Sequence, residues 1–423
     1  VKSHKKNGWV PRKLNELGFV GRGKSRHRPR NAPELYGGPY PFFQTGDIKA
    51  AELYLIKYTQ TYSDAGLAQS KLWNPGTLCI TIAANIADTA IMGINGCFPD
   101  SVVGFIADPM MADVRFVKYY IDTIKLAMQN VSKGTTQDNL SLDKLLMFDF
   151  LAPDVVGQRK IASILTAYDD LIENNARRIA ILEAMTQAIY REWFVEFRFP
   201  GHEKVKLVDS PLGKSPEGWK LVKVDDAIFI NPRTTVPKEG EKPFVSMGAV
   251  PHNTMLIDVA ATEMRAGNSG SKFQNDDTLF ARITPCLENG KTAFVQFLSN
   301  PDAVAFGSTE FIVLRSKTVC PEFVYLLARS DAFRDNAIKS MSGATGRQRV
   351  QEKCFDNFFF AHPDPKSLSA FAEFMRPLFK NVFALSKKNA NLRKTRDLLL
   401  PKLISGQLDV EDLAIETYEA ITE

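Results

Sequence analysis

The sequence predicts an α/β (α+β) fold: two pseudo-repeated globular domains separated by two long antiparallel coiled-coil helices. Three observations predict it. Residues 158–199 contain neither proline nor glycine and carry one narrow apolar seam. A second seam of the same kind follows Pro365. The segments that precede the two seams share local wording, so the plan is globular, helix, globular, helix.

The first seam reads Ile161, Leu165, Tyr168, Ile172, Asn175, Ile179, Leu182, Thr186, Ile189, Trp193. Its steps alternate between four and three, a period of about 3.5 residues that suits helix on helix. Asp169, Asp170, Glu173, Arg177 and Arg178 lie mostly off it. At about 1.5 Å per residue the helix is roughly 60 Å long, the length of a spacer. The second seam reads Phe371, Met375, Leu378, Val382, Leu385, Asn389, Leu392, Arg396, Leu399, Leu403. Each seam has one central asparagine, and Asn175 with Asn389 is expected to fix the register of the helix pair by amide–amide hydrogen bonding. Pro377 should kink the second helix or mark a late start, and Pro401 should limit its end.

The repeat places Gly8-Trp9 against Gly218-Trp219, Pro41-Phe42 against Pro243-Phe244, and Ser70-Lys71 against Ser271-Lys272, about 200 residues apart. A polar loop, 132–137 against 342–348, and an aromatic strand before proline, 145–153 against 355–363, close each unit. Short strands are expected at 78–84, 293–298 and 311–315, and helices at 114–129 and 321–339. The boundaries are 1–153 for the first domain, 154–199 for the central helix, 200–363 for a linker and the second domain, 364–413 for the C-terminal helix, and 414–423 for a tail. The linker, 199–219, is rich in proline, glycine and charge. Antiparallel helices would set the two domains at opposite ends; parallel packing, with the linker spanning the return, stays open.

Hydrophobic residues make up 44% and charged residues 24%, enough to build ordinary cores. No apolar run reaches the length of a membrane span, and residues 1–14 lack the apolar centre of a signal peptide, so a cytoplasmic protein is expected. Five scattered cysteines and five scattered histidines read as reduced thiols and isolated imidazoles, with no metal site. The net charge is only +5, but residues 1–30 hold ten Lys/Arg against Glu16 alone. A local basic surface is compatible with nucleic acid.

Residues 18–25, Gly-Phe-Val-Gly-Arg-Gly-Lys-Ser, match the letters of a phosphate-binding loop. The chemistry also needs a hydrophobic strand before the loop and a helix after it, to aim backbone amides at the phosphates. Pro29 and Pro33 forbid a regular helix there. No amino-methylation motif, glycine-rich cofactor loop or paired-carboxylate nuclease cluster is visible, so no catalytic residue is assigned. A nucleotide-dependent enzyme using 18–25 and a purely protein-binding coiled-coil scaffold are the alternatives.

Residues 158–201 resemble the central helical region of the specificity subunit of type I restriction–modification enzymes. Residues 392–410 resemble that family's C-terminal region, 211–226 the entry to its second target recognition domain, and 45–48 with 134–137 parts of its first. The resemblance implies a non-catalytic subunit whose two recognition domains each read half of a split DNA sequence. It implies helices that set the gap and dock two modification (methyltransferase) subunits, with two restriction subunits where these exist. S-adenosylmethionine, ATP and magnesium would then reside on the partners, and this chain would bind none.

The residues expected to meet double-stranded DNA fall into three groups. Arg22, Lys24, Arg26, Arg28 and Arg30 form an extended basic segment suited to a phosphate backbone. Lys133, Thr135, Thr136 and Gln137 form one candidate reading loop, and Arg347, Gln348 and Arg349 its counterpart, since glutamine pairs with adenine and arginine with guanine. Lys71, Lys272 and Arg282 complete the set. Trp193, Phe194 and Phe197 either contact a methyltransferase or cap the second domain.

Overall fold

The computed structural model describes residues 8–133, 139–344 and 346–417. Two compact units emerge: Val1–Asn174 with Asn389–Glu423, and Asn175–Lys388. Each combines one globular module with parts of both long helices.

In unit 1 the strands are β1 (Val10–Arg12), β2 (Gly18–Arg22), β3 (Tyr36–Phe42), β4 (Tyr54–Leu55), β5 (Gln60–Tyr62), β6 (Leu72–Trp73), β7 (Leu78–Thr81), β8 (Thr89–Met92), β9 (Gly96–Cys97), β10 (Val102–Ala107) and β11 (Phe150–Ala152). They form a sheet of order β2-β10-β7-β8-β4, a second of order β5-β3-β9-β6, and the pair β1-β11. The helices are α1 (Thr45–Ala50), α2 (Asp64–Ala68), α3 (Val114–Ser132) and α4 (Leu142–Leu146), then α5 (Val155–Phe194), which starts in this unit. Strand alternation divides the core. Ile80, Val103 and Phe105 face Phe116, Val117 and Ile121 of α3. Cys79 and Val102 face Phe43, Trp73 and Phe98 on the side of the second sheet.

Unit 2 repeats this plan with β12 (Leu207–Ser210), β13 (Gly213–Pro216), β14 (Lys220–Lys223), β15 (Ile228–Ile230), β16 (Lys242–Val245), β17 (Glu263–Arg265), β18 (Ser271–Gln274), β19 (Thr278–Ala281), β20 (Thr292–Phe294), β21 (Val304–Gly307), β22 (Phe311–Ser316) and β23 (Phe359–His362). The orders are β15-β22-β19-β20, β17-β16-β21-β18 and β14-β23. In both units the second sheet carries one parallel pair, β3 with β9 and β16 with β21. α6 (Val224–Ala227), α7 (Pro321–Arg329) and α8 (Asp331–Lys339) precede α9 (Pro365–Ile404). The linker is not structureless, because β12 and β13 make an antiparallel hairpin inside it. The helix expected at 321–339 is two helices, since Ser330 is extended and its side chain accepts from the Phe333 amide to open the second.

Both long helices begin with an aspartate cap. The Asp154 carboxylate accepts from the Gly157 amide at 2.8 Å. Asp364 accepts from the Lys366 and Ser367 amides at 2.9 and 3.0 Å and from Trp219 Nε1 at 3.1 Å. Burial opposes its ionisation, but the hydrogen bonds, led by Ser367, hold the Asp364 carboxyl below the usual range. Such a cap is worth about 1 kcal/mol. Pro377 does not interrupt α9, which runs unbroken to Ile404.

Within unit 1, α5 and α9 run antiparallel. Asn389 Nδ2 donates to the Ile172 carbonyl at 3.1 Å, and Arg396 donates to Asp169 at 2.5 Å. Asn389 therefore meets backbone across the seam. Asp169 is 4% exposed, so it sits in the seam and not off it. Within unit 2, Phe371 packs on Trp193 and Phe194, with ring centroids 5.5 and 4.6 Å apart. Phe194 also meets Trp219 and Phe323, and Phe197 meets Trp219. These aromatics cap the second module.

Glu183 of α5 is buried and accepts from Thr254 Oγ1 at 2.7 Å and the Met255 amide at 2.6 Å. Burial outweighs these bonds and raises its carboxyl above the ordinary range. A raised native pKa stabilises the fold at low pH, and that contribution disappears as pH climbs through the native value. Glu183→Gln keeps the acceptor and removes the charge. Compared with it, the native chain is expected to lose stability as pH rises from about 4; denaturant midpoints at pH 5 and pH 8 that move in parallel for both chains would defeat this.

Candidate nucleic-acid interface

The basic segment after β2 folds back on its own module. Gly23 and Lys24 amides donate to the Val102 and Phe98 carbonyls. Gln69 Oε1 accepts from the Arg26 and His27 amides. Arg22 Nε donates to the Asp100 carbonyl, and Arg30 binds both Asp100 carboxylate oxygens at 2.9 Å. Arg28 donates to the Ser25 and His27 carbonyls. Lys71 lies 3.6 Å from the Trp73 ring centroid and 5.0 Å from that of Phe19. Its burial, helped by Lys24, lowers the Lys71 ammonium below its ordinary range. Arg22, Lys24, Arg30 and Lys71 are thus gathered where β2 ends. Phe19, 54% exposed, lies beside them.

This geometry overturns the phosphate-loop reading. Gly18–Arg22 is itself a strand, and no helix opens at Lys24 or Ser25.

In unit 2 the same topological place is the end of edge strand β15. Strand registers make Phe229 the counterpart of Phe19: each is exposed and has a lysine near its ring, Lys317 in the second module. They also correct one sequence pairing. Trp73 corresponds to Phe273 and Leu72 to Lys272, so Lys272 is not the partner of Lys71. Lys272 and Arg282 line a cavity of 430 Å³ with Arg233, which the sequence reading passed over. The signal was available: Asn231-Pro232-Arg233 follows an edge strand, at the place where Gly21-Arg22-Gly23 ends one, but it carries no Gly-Lys pair. Arg282 is partly structural, donating to Glu352 at 2.8 Å and to the Val350 carbonyl at 3.0 Å.

The two candidate reading loops share a stem. Asn139 bridges Ala83, and Arg349 bridges Ile283. The next amides, of Leu140 and Val350, donate to the Ile82 and Arg282 carbonyls. Lys133 is exposed at the end of α3, while Thr135, Thr136 and Gln137 lie outside the described residues. Arg347 is exposed. The Gln348 backbone exchanges hydrogen bonds with Thr284. Arg349 forks onto Glu310 at 2.6 to 3.0 Å, and that contact raises its guanidinium above the ordinary range.

No group of three or more metal-ligating side chains occurs among the described residues. No helix among them is long and apolar enough to cross a membrane.

Residues 6–184 match the family model described as the type I restriction modification DNA specificity domain. The MjaIX specificity subunit of Methanocaldococcus jannaschii is 23% identical over 430 residues, covering 96% of this chain and 94% of that one. Over nearly its whole length the chain is similar to the specificity subunits of type I restriction–modification systems, and residues 6–184 match their DNA specificity domain. The HindI specificity subunit of Haemophilus influenzae is 20% identical, covering 66% of this chain and 72% of its own. The crystal structure of the S subunit from M. genitalium has the same fold, with a TM-score of 0.60 at 15% identity over 95% of this chain and 98% of that one. As a specificity subunit the chain is the DNA-recognition component and not a catalyst, and neither the nucleotide-enzyme reading nor the scaffold reading stands.

Proposed function

We propose that the modules within 1–153 and 200–363 are target recognition domains, each reading one half of a split duplex sequence. The helices within 154–199 and 364–413 set the distance between the half-sites, and 414–423 is a tail. Two modification subunits dock on the chain and supply S-adenosylmethionine and adenine methylation. Two restriction subunits, where present, supply ATP- and magnesium-dependent work in the cytoplasm. The observation that carries this reading is the repeated module, with two sheets of matching strand order apart from the extra edge strand β4, and with cations gathered at the end of the same edge strand in each copy. Arg22, Lys24, Arg26, Arg28, Arg30 and Lys71 serve the first half-site, with Lys133, Thr135, Thr136 and Gln137. Lys272, Arg282, Arg347, Gln348 and Arg349 serve the second. Asn175 and Asn389 hold the helix register, supported by the Asn389 bond to Ile172.

The test is to delete one heptad from each long helix and map methylation in a host expressing the complex. Seven residues are about 10.5 Å of helix, or about three base pairs at 3.4 Å each. The gap between half-sites is expected to shorten by about that much with both half-sequences unchanged. An unaltered gap would remove the spacer role.

A further inference from the structure

The two modules differ at one shared place. In unit 2 the end of β15 opens on the 430 Å³ cavity, with Arg233, Lys272, Arg282 and Thr309 on its wall. Neither Arg233 nor Lys272 has a carboxylate partner among the described residues. Arg282 Nε is buried with no hydrogen-bond partner.

Carrying the strand registers across, each of these positions is changed in unit 1. Gly23 stands for Arg233, Leu72 for Lys272, buried Ile82 for Arg282, and Asp100 for Thr309. A side chain at Gly23 is impossible without rearrangement, because its Cβ would lie 2.2 Å from the Pro99 carbonyl oxygen and 2.5 Å from that of Phe98. The space open in the second module is closed in the first by backbone, and a carboxylate stands where the second module has a hydroxyl.

We propose that the cavity at the end of β15 is a phosphate seat found in the second module alone. It holds a backbone phosphate of bound DNA between the Arg233 guanidinium and the Lys272 ammonium, with the Thr309 hydroxyl as a further donor. Two cations on the wall of one cavity whose lining holds no carboxylate present the charge and the donors that suit a phosphate. A seat that grips backbone fixes the position of the module on the duplex without reading bases, leaving base choice to the loop ending at Arg349. This inference rests on the proposal that the modules read DNA.

The experiment measures binding of the full-length chain to duplex DNA across a salt series. Arg233→Gln and Lys272→Gln are each expected to flatten the slope of log affinity against log salt by about 0.9, and the double variant by about 1.8. The loss should be nearly the same for all sequences. An unchanged slope with altered preference for bases would make the cavity a base reader and overturn the seat. Unchanged slope and affinity would overturn it as well. Inorganic phosphate at constant ionic strength separates a general phosphate site from a DNA-only one. A Tm rise in the native chain that is absent from the double variant supports the seat even if duplex DNA does not bind, in which case the DNA-reading proposal fails alone. With no DNA binding and no Tm rise, both fail.

Discussion

Phe371→Ala is expected to destabilise unit 2 by about 3–5 kcal/mol, the range for emptying a fully buried aromatic site. Phe371 is fully buried, and its ring meets Trp193, Phe194 and Phe323. The cluster joins the end of α5, the start of α9 and α7, so little can collapse into the gap. Two-stage denaturant unfolding is the expected readout, with the transition of unit 2 shifted and that of unit 1 retained. Phe371→Leu should recover much of the loss. A variant that unfolds at the native midpoint would show that the aromatic cluster does not hold the module to its helices.

Arg396→Met is expected to cost about 3 kcal/mol in unit 1, as when one member of a buried pair is removed. Burial opposes the Arg396 charge, but Asp169 and Asp397 more than compensate and raise its guanidinium above the ordinary range. Asp169 also accepts from Tyr119 of α3 at 2.5 Å, so one carboxylate ties α9, α5 and the first module together. Without arginine, the buried Asp169 carboxylate is left facing the seam without its cation. The double variant Arg396→Met/Asp169→Leu should regain most of the stability, since it leaves no uncompensated charge. A double variant as unstable as the single one would mean packing, not the ion pair, is at stake.

Heptad spacing was enough to locate both long helices, because a seam of that period survives in the sequence whatever it packs on. Their ends were less legible. The first ends at Phe194, and the chain turns at Phe197 with φ 57°, a left-handed conformation that an aromatic residue does not advertise. Pro377 looked like a break, yet its place in α9 is held by neighbours such as Phe379, which packs on Phe294 and Tyr325. Asp169 looked solvated because its cation lies far away in sequence. The module repeat was visible in short words, but the one-residue slip that separates Lys71 from Lys272 was not. It is set by strand register, which no local match encodes. Arg233 was missed for the same reason: its meaning comes from the strand that precedes it and the cavity beside it.

The paired stems at Ala83–Asn139 and Ile283–Arg349 reach beyond either module's present preference. Each ties the residue that closes a loop to the segment after β7 or β19 by main-chain bonds that nearly any residue type supplies. Doubling the span between fixed ends costs only about 0.6 kcal/mol. New lengths and new side chains can therefore be tried there while the folded scaffold stays intact, and altered targets can arise without a new protein having to be built.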